Sequence, residues 1–186
     1  MSSLASQNPT TTTAPAATAY DLDVAHSQAE FAVKHMMIAT VRGRIPILKG
    51  SIVRGPDGWD VEAELDAARV DTGAADRDQH LRSPDFFDVG THPRIVFRAR
   101  GVPDDADEVE GELTIRDVTR PVRLAVERNG TGIDPWGNTR VGLSATATLN
   151  RHDFGLRWNV ALEAGGVLVG DKVKVTLDLQ AVERKG

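Results

Sequence analysis

Residues 141–149 read VGLSATATL, in which Val141, Leu143, Ala145, Ala147 and Leu149 alternate with glycine, serine and two threonines. Successive side chains of a strand point to opposite faces, so as a strand this stretch has one apolar face and one polar face. A helix would scatter the same residues around its axis. The period of two recurs along the chain, in Tyr20, Leu22, Val24; Phe31, Val33, His35; Val61, Ala63, Leu65, Ala67; and Ile95, Phe97, Ala99. It continues in Val109, Gly111, Leu113, Ile115; Val122, Leu124, Val126; and Val173, Val175, Leu177, Leu179, Ala181. With the segment from Val41 to Val53 the chain holds about nine strand candidates. Turn signals such as Gly55-Pro56-Asp57-Gly58, Pro103-Asp104-Asp105 and Pro135-Trp136-Gly137-Asn138 separate most of them. The fold class is all-β, an antiparallel barrel or sandwich.

One region breaks the alternation, VDTGAADRDQHLRSPDFFDVGTHPR at 70–94. Thr72 is placed to cap a short helix over Ala74 to Leu81, and Ser83-Pro84 to open a second helical turn carrying Phe86 and Phe87. Two adjacent phenylalanines on so short a piece need an apolar place, and the region reads as a lid or plug at one mouth of a barrel. The apolar rows also contain many small residues, Ala63, Ala67, Ala99, Gly111, Ala145, Ala147 and Ala181, which leave interior space that larger residues would fill.

The chain of 186 residues suits one domain, expected over 20–186, behind a Thr-, Ala-, Ser- and Pro-rich segment 1–19 expected to be a disordered tail. Lys and Arg number 22 against 27 Asp and Glu, a net charge of −5 with no basic block, so nucleic acid is excluded as an expected partner. The absence of cysteine removes disulfides and thiolate metal sites. The first residues have neither the positive region nor the apolar core of a secretory signal, and no stretch approaches the roughly 20 apolar residues of a membrane span. The expectation is a cytoplasmic protein without an integral membrane segment.

No nucleophile elbow, P-loop, dinucleotide fingerprint or calcium loop is present. Of the five histidines, His26 and His35 flank an alternating run. On one continuous strand they would face opposite ways about 30 Å apart, so they are not read as a metal or catalytic pair. His26 belongs to a turn. His35 continues the parity of Phe31 and Val33 and points inward, either as a hydrogen-bonded core histidine or as a polar contact to a ligand. In NRHDFGLRW, 150–158, Arg151 has two readings: a partner for an acidic neighbour, or a planar donor fork at a pocket rim receiving an anionic head group.

Five blocks in order, DVAHSQAEFAVKHMMIATVRGRI (23–45), VDTGAADRDQHLRSPDFFDVGTHPRIVFRAR (70–100), VEGELTIRDVTRPVRLAV (109–126), LNRHDFGL (149–156) and VGDKVKVTLDLQAVER (169–184), closely resemble the bacterial YceI-like family. The resemblance implies an extended lipocalin-like barrel of about eight strands whose apolar cavity accommodates a polyisoprenoid lipid, an isoprenoid quinone or a similar amphiphile, commonly as a homodimer. It implies no cofactor and no general catalytic activity. One departure stands out: relatives often carry phenylalanine after VRGR, where this chain has Ile45 and Pro46. Pro46 lacks a ladder donor and is expected at an edge or bulge. The residues expected to line the pocket or its mouth are Phe31, Val33, His35, Met37, Phe86, Phe87 and Phe97, with Arg151 and Trp158. Two rival readings are an isomerase or hydrolase using His35 as general base, and a stress-response interaction protein whose barrel is filled by its own side chains.

Overall fold

The structure, a computed structural model, describes residues 18–163 and 165–185. The expected N-terminal tail lies outside the described residues up to residue 17, and Ala19 already belongs to a strand. Ten strands form, β1 Ala19–Leu22, β2 Gln28–His35, β3 Ala39–Arg44, β4 Ile47–Gly55, β5 Gly58–Asp66, β6 Arg94–Val102, β7 Glu108–Ile115, β8 Val118–Ile133, β9 Thr139–Asn150 and β10 Val169–Glu183. Helix α1, Ala75–Arg82, interrupts them.

All neighbouring strands are antiparallel, in the order β1-β4-β5-β6-β7-β8-β9-β10-β2-β3. A further β1–β10 pairing closes eight of them into a barrel, with β2 and β3 as the two additional strands. β10 is long enough to take two partners on one side: Tyr20 of β1 lies opposite Glu183, and Val33 of β2 opposite Val173. β1 and β2 are thus one wall broken by a turn. There the His26 amide donates to the Asp23 carbonyl at 3.1 Å and the imidazole meets the Asp23 carboxylate at 2.9 Å, so His26 is a turn residue.

Pro46 makes the corresponding break in the next wall. Sequence pattern treats Val41 to Val53 as one segment, but the proline has no amide hydrogen, β3 ends before it, and the ladder shifts register between Ile47 and Lys49. That split is why ten strands form rather than about nine.

The lid also differs from the sequence expectation in one detail. Thr72 does not cap α1; its amide and hydroxyl donate instead to the buried Asp78 carboxylate, at 2.8 and 2.5 Å, and Ala74 stands at the N-cap position with no side-chain bond. A carboxylate one turn into the helix outcompetes a hydroxyl for the role of acceptor. Residues 83–87 form turns rather than a second helix. Their Phe87 joins Ile45, Val70, Ile95, Ile115, Phe154 and Leu156 in a cluster that plugs the β5–β7 side of one barrel end.

Glycine in β7 makes room for the cavity wall. A Cβ on Gly111 would sit 2.5 Å from Cζ of Phe97 and 2.6 Å from the Arg98 carbonyl, so the ring rests against bare backbone. Gly111→Ala is expected to destabilise the fold by about 1–3 kcal/mol in urea denaturation, because Phe97 has to leave its rotamer.

At the other barrel end Arg140 reaches Asp134 at 2.9 Å and Asp23 at 2.6 Å. Hydrogen bonds from Asn138 and then Arg140 hold the Asp134 carboxyl far below the usual carboxylate range, and Arg140 lowers Asp23. Carboxylates depressed in the folded state stabilise it above their unfolded values near about 4 and lose that contribution as pH falls through the folded values. Asp134→Asn is therefore expected to cost stability at neutral pH, with the difference from the parent shrinking as acid denaturation proceeds.

Candidate functional site

The inward rows of the barrel enclose a cavity of about 660 Å³. β10 contributes Val169, Val173, Val175, Leu177 and Leu179, and β9 contributes Leu143, Ala145, Ala147 and Leu149. Register brings these rows together, since Val173 lies opposite Leu149, Val175 opposite Ala147 and Leu177 opposite Ala145. From Val169 to Leu179 the lined part of β10 extends about 33 Å along the strand. At its deep end the lining stops at Leu22, Ile52, Val126, Leu143 and Leu179.

The charged and imidazole-bearing members of the lining, Glu30, Lys34, His35, Asp76, Arg77, His80 and Arg151, all belong to the α1 end. There the plug covers the β5–β7 side and leaves an opening between β2 and α1. Three rings stand at it: His80 of α1 meets Trp158 edge-on at 4.5 Å and Phe86 at 5.1 Å, with Phe86 and Trp158 5.6 Å apart. The other face of this arrangement is polar, with His80 Nε2 at 2.9 Å from the Asp85 carboxylate. Among the described residues no three His, Asp or Glu side chains gather as a metal site.

Phe31, Val33, His35, Phe86, Phe87, Phe97, Arg151 and Trp158 all border the cavity. Met37 does not. Parity carries inward as far as His35, but the chain then turns, with Met36 and Met37 in the left-handed region (φ 52° and 60°) and Ile38 donating back to the His35 carbonyl. Met37 is left 64% exposed on the outside of the tip. His80 was not among the expected residues, because a histidine on a short polar helix carries no signal of what the helix lies against. Leu22, Ile47 and Ile52 were also outside that set, although the alternation of their strands would have found them.

Arg151 borders the cavity without offering it a donor. Its guanidinium is buried and donates to the carbonyls of Leu156, Trp158, Val169 and Gly170, at 2.6, 2.9, 3.3 and 3.0 Å. Asp171 stands 3.7 Å away, so the first reading of this arginine holds and the head-group role does not. Burial pushes its pKa below the ordinary arginine value, against the pull of Asp171.

A family model described as YceI-like domain matches residues 20–181. The chain belongs to the YceI-like family. A UPF0312 protein of Pseudomonas paraeruginosa is 35% identical over 145 residues, covering 75% of this chain and 76% of that protein. The crystal structure of Burkholderia cenocepacia BcnA superposes with a TM-score of 0.69 at 20% identity, covering 86% of this chain and 98% of the other. A polyisoprenoid binding domain from Saccharophagus degradans, implicated in plant cell wall breakdown, superposes with a TM-score of 0.64 at 17% identity, covering 89% and 98%. At these identities the two solved structures speak for the YceI-like barrel fold.

Arg151→Met strips four carbonyls of their donor and is expected to lower stability by about 3 kcal/mol. Differential hydrogen exchange is expected to place the loss in residues 155–170 and leave β5–β8 protected as before.

Proposed function

We propose that this barrel is a non-enzymatic binding protein for a polyisoprenoid lipid or isoprenoid quinone, which it holds in transit or in sequestration. The observation that carries the reading is the cavity itself, about 660 Å³ of aliphatic and aromatic wall with its polar residues gathered at one open end. That polarity suits an amphiphile whose tail enters first and whose head group stays beside His35, Glu30 and Asp76. Phe31, Val33, Phe86, Phe87, Phe97 and Trp158 are the proposed tail contacts. Each methylene taken out of water contributes roughly 0.8 kcal/mol, so several branched units bind through area alone, even after the cost of ordering a flexible chain. The Saccharophagus degradans domain, named for polyisoprenoid binding, supports the same class of ligand.

The rivals find less support. A barrel filled by its own side chains would not leave this volume. No carboxylate or hydroxyl among the described residues hydrogen-bonds to His35, the general base that an isomerase or hydrolase in this cavity would use. A homodimer belongs to the proposal as well: β3 ends the sheet, and beyond β2 its one further pairing among the described residues is the Arg44–Asp71 bridge, so most of its outer edge is open to a second copy.

Protein purified from its own host without detergent is expected to release a stoichiometric polyprenyl species or quinone on solvent extraction and mass spectrometry. A fluorescent polyprenyl probe is expected to bind the emptied protein. Ala147→Phe, which adds a ring inside the cavity, is expected to weaken the probe by at least about tenfold. An empty extract together with no probe binding sinks the proposal.

A further inference from the structure

The outside of the open end is apolar where a soluble surface needs no apolar residues. Met36, Met37 and Ile38 at the β2–β3 tip are 40, 64 and 83% exposed, and Val160 and Val167 on the adjoining loop are 45 and 37% exposed. The two pieces form one patch. The Met36 amide donates to the Leu168 carbonyl at 2.8 Å, Leu168 donates to Val160 at 3.0 Å, and Ala161 and Val167 pair as a bridge. Leu168 lines the cavity, as do His35 and Val33 just below the tip, so the apolar surface runs from the exterior into the lumen. A turn with two residues of positive φ is normally made by Asn-Gly or Asp-Gly. Here two methionines occupy it, at a backbone cost that nothing in the packing of the tip requires.

Charge gives the patch an orientation. The outer faces of β2, β3 and β10 beside it carry exposed Lys34, Arg42, Lys172 and Lys174, in one neighbourhood because Ala32 lies opposite both Arg42 and Lys174. None of the four forms an ion pair among the described residues. The acids nearby are Glu30, Glu163 and Asp171, the last held by Arg151 and His152. The lid side of the same end is mixed in sign. At the opposite end the turns carry Asp57, Asp104, Asp105, Asp107 and Asp134, in a chain whose net charge is −5. A negative surface therefore repels one end of the barrel and attracts the other on its β2–β3 side.

We propose that the open end docks on an anionic lipid bilayer, with the β2–β3 tip and the 160–167 loop entering the interface beside a row of cations. An apolar cargo then passes between bilayer and cavity without crossing water; that route rests on the lipophile-binding reading, while docking itself does not. The combination of apolar side chains inserted at the headgroup boundary and cations held just behind them is the physical recipe for reversible membrane association.

The test is sedimentation of the full chain with vesicles of phosphatidylcholine alone and of phosphatidylcholine mixed equally with phosphatidylglycerol. Binding is expected to the mixed vesicles, weakly to the neutral ones, and to fall with added salt. The double variant Met37→Ser, Ile38→Ser is expected to lose at least about tenfold in partition. Lys172→Gln and Lys174→Gln are each expected to lose roughly fivefold. All of these keep the parent affinity for the polyprenyl probe added from solution, because none of them borders the cavity. Absence of binding to the mixed vesicles, equal binding to both kinds, or variants that partition like the parent would overturn the inference. So would a concentration-dependent dimer that the Met37, Ile38 variant loses while vesicles bind neither form, since the tip would then be a contact between copies. Normal vesicle binding without probe binding keeps the docking and removes the lipophile reading.

Discussion

The ladder made by β10 fixes the rest of the molecule. It pairs with β9 along one edge and with β1 and β2 in succession along the other, so one strand both closes the barrel and sets which residues face its lumen. A slip of one residue would carry Val173, Val175, Leu177 and Leu179 to the outside and bring Lys172, Lys174, Thr176 and Asp178 into the cavity. The burial of one apolar row and the hydration of its charged counterpart both oppose that slip. The strand's neighbours inherit the same constraint, which is why rows from different strands align into a continuous apolar wall.

Closure in this fold is unequal at the two ends. One end is tied by side chains: Trp59 donates to Asp104 at 2.6 Å, Arg54 pairs with the same carboxylate, and Arg140 gathers Asp23 and Asp134. At the other end apolar residues of the 70–94 segment plug part of the opening and a trio of rings borders the remainder. A hollow interior forfeits packing that a filled core would have. The stability of the barrel therefore leans on its long ladders and on the clusters at its ends rather than on its centre.

Alternation of apolar residues revealed most of the walls, because in a strand parity alone decides the face. It failed where the chain stops being a strand. His35 was placed correctly and Met37 was not, since the tip at Met36 reverses direction between them. Pattern also joined β3 to β4 across Pro46, although the missing amide of that proline already marked the break. Hydrogen-bond assignments were less legible: Thr72 had two plausible acceptor or donor roles, and which one it takes depends on Asp78 lying within reach. Arg151 is similar, because the four carbonyls that occupy it come from positions up to nineteen residues away that only the fold assembles. The glycine at 111 appeared as a small residue that would leave space, whereas it is filled by the ring of Phe97 from the next strand.

The buried guanidinium of Arg151 ties the start of the 151–170 segment to its end through the carbonyls of Val169 and Gly170, and to its middle through Leu156 and Trp158. In effect it is a cross-link that closes a loop, the task a disulfide performs in many small secreted domains. Unlike a disulfide it has no reduced form. In a chain without cysteine, this brace beside the mouth keeps the same strength in a reducing compartment as in an oxidising one.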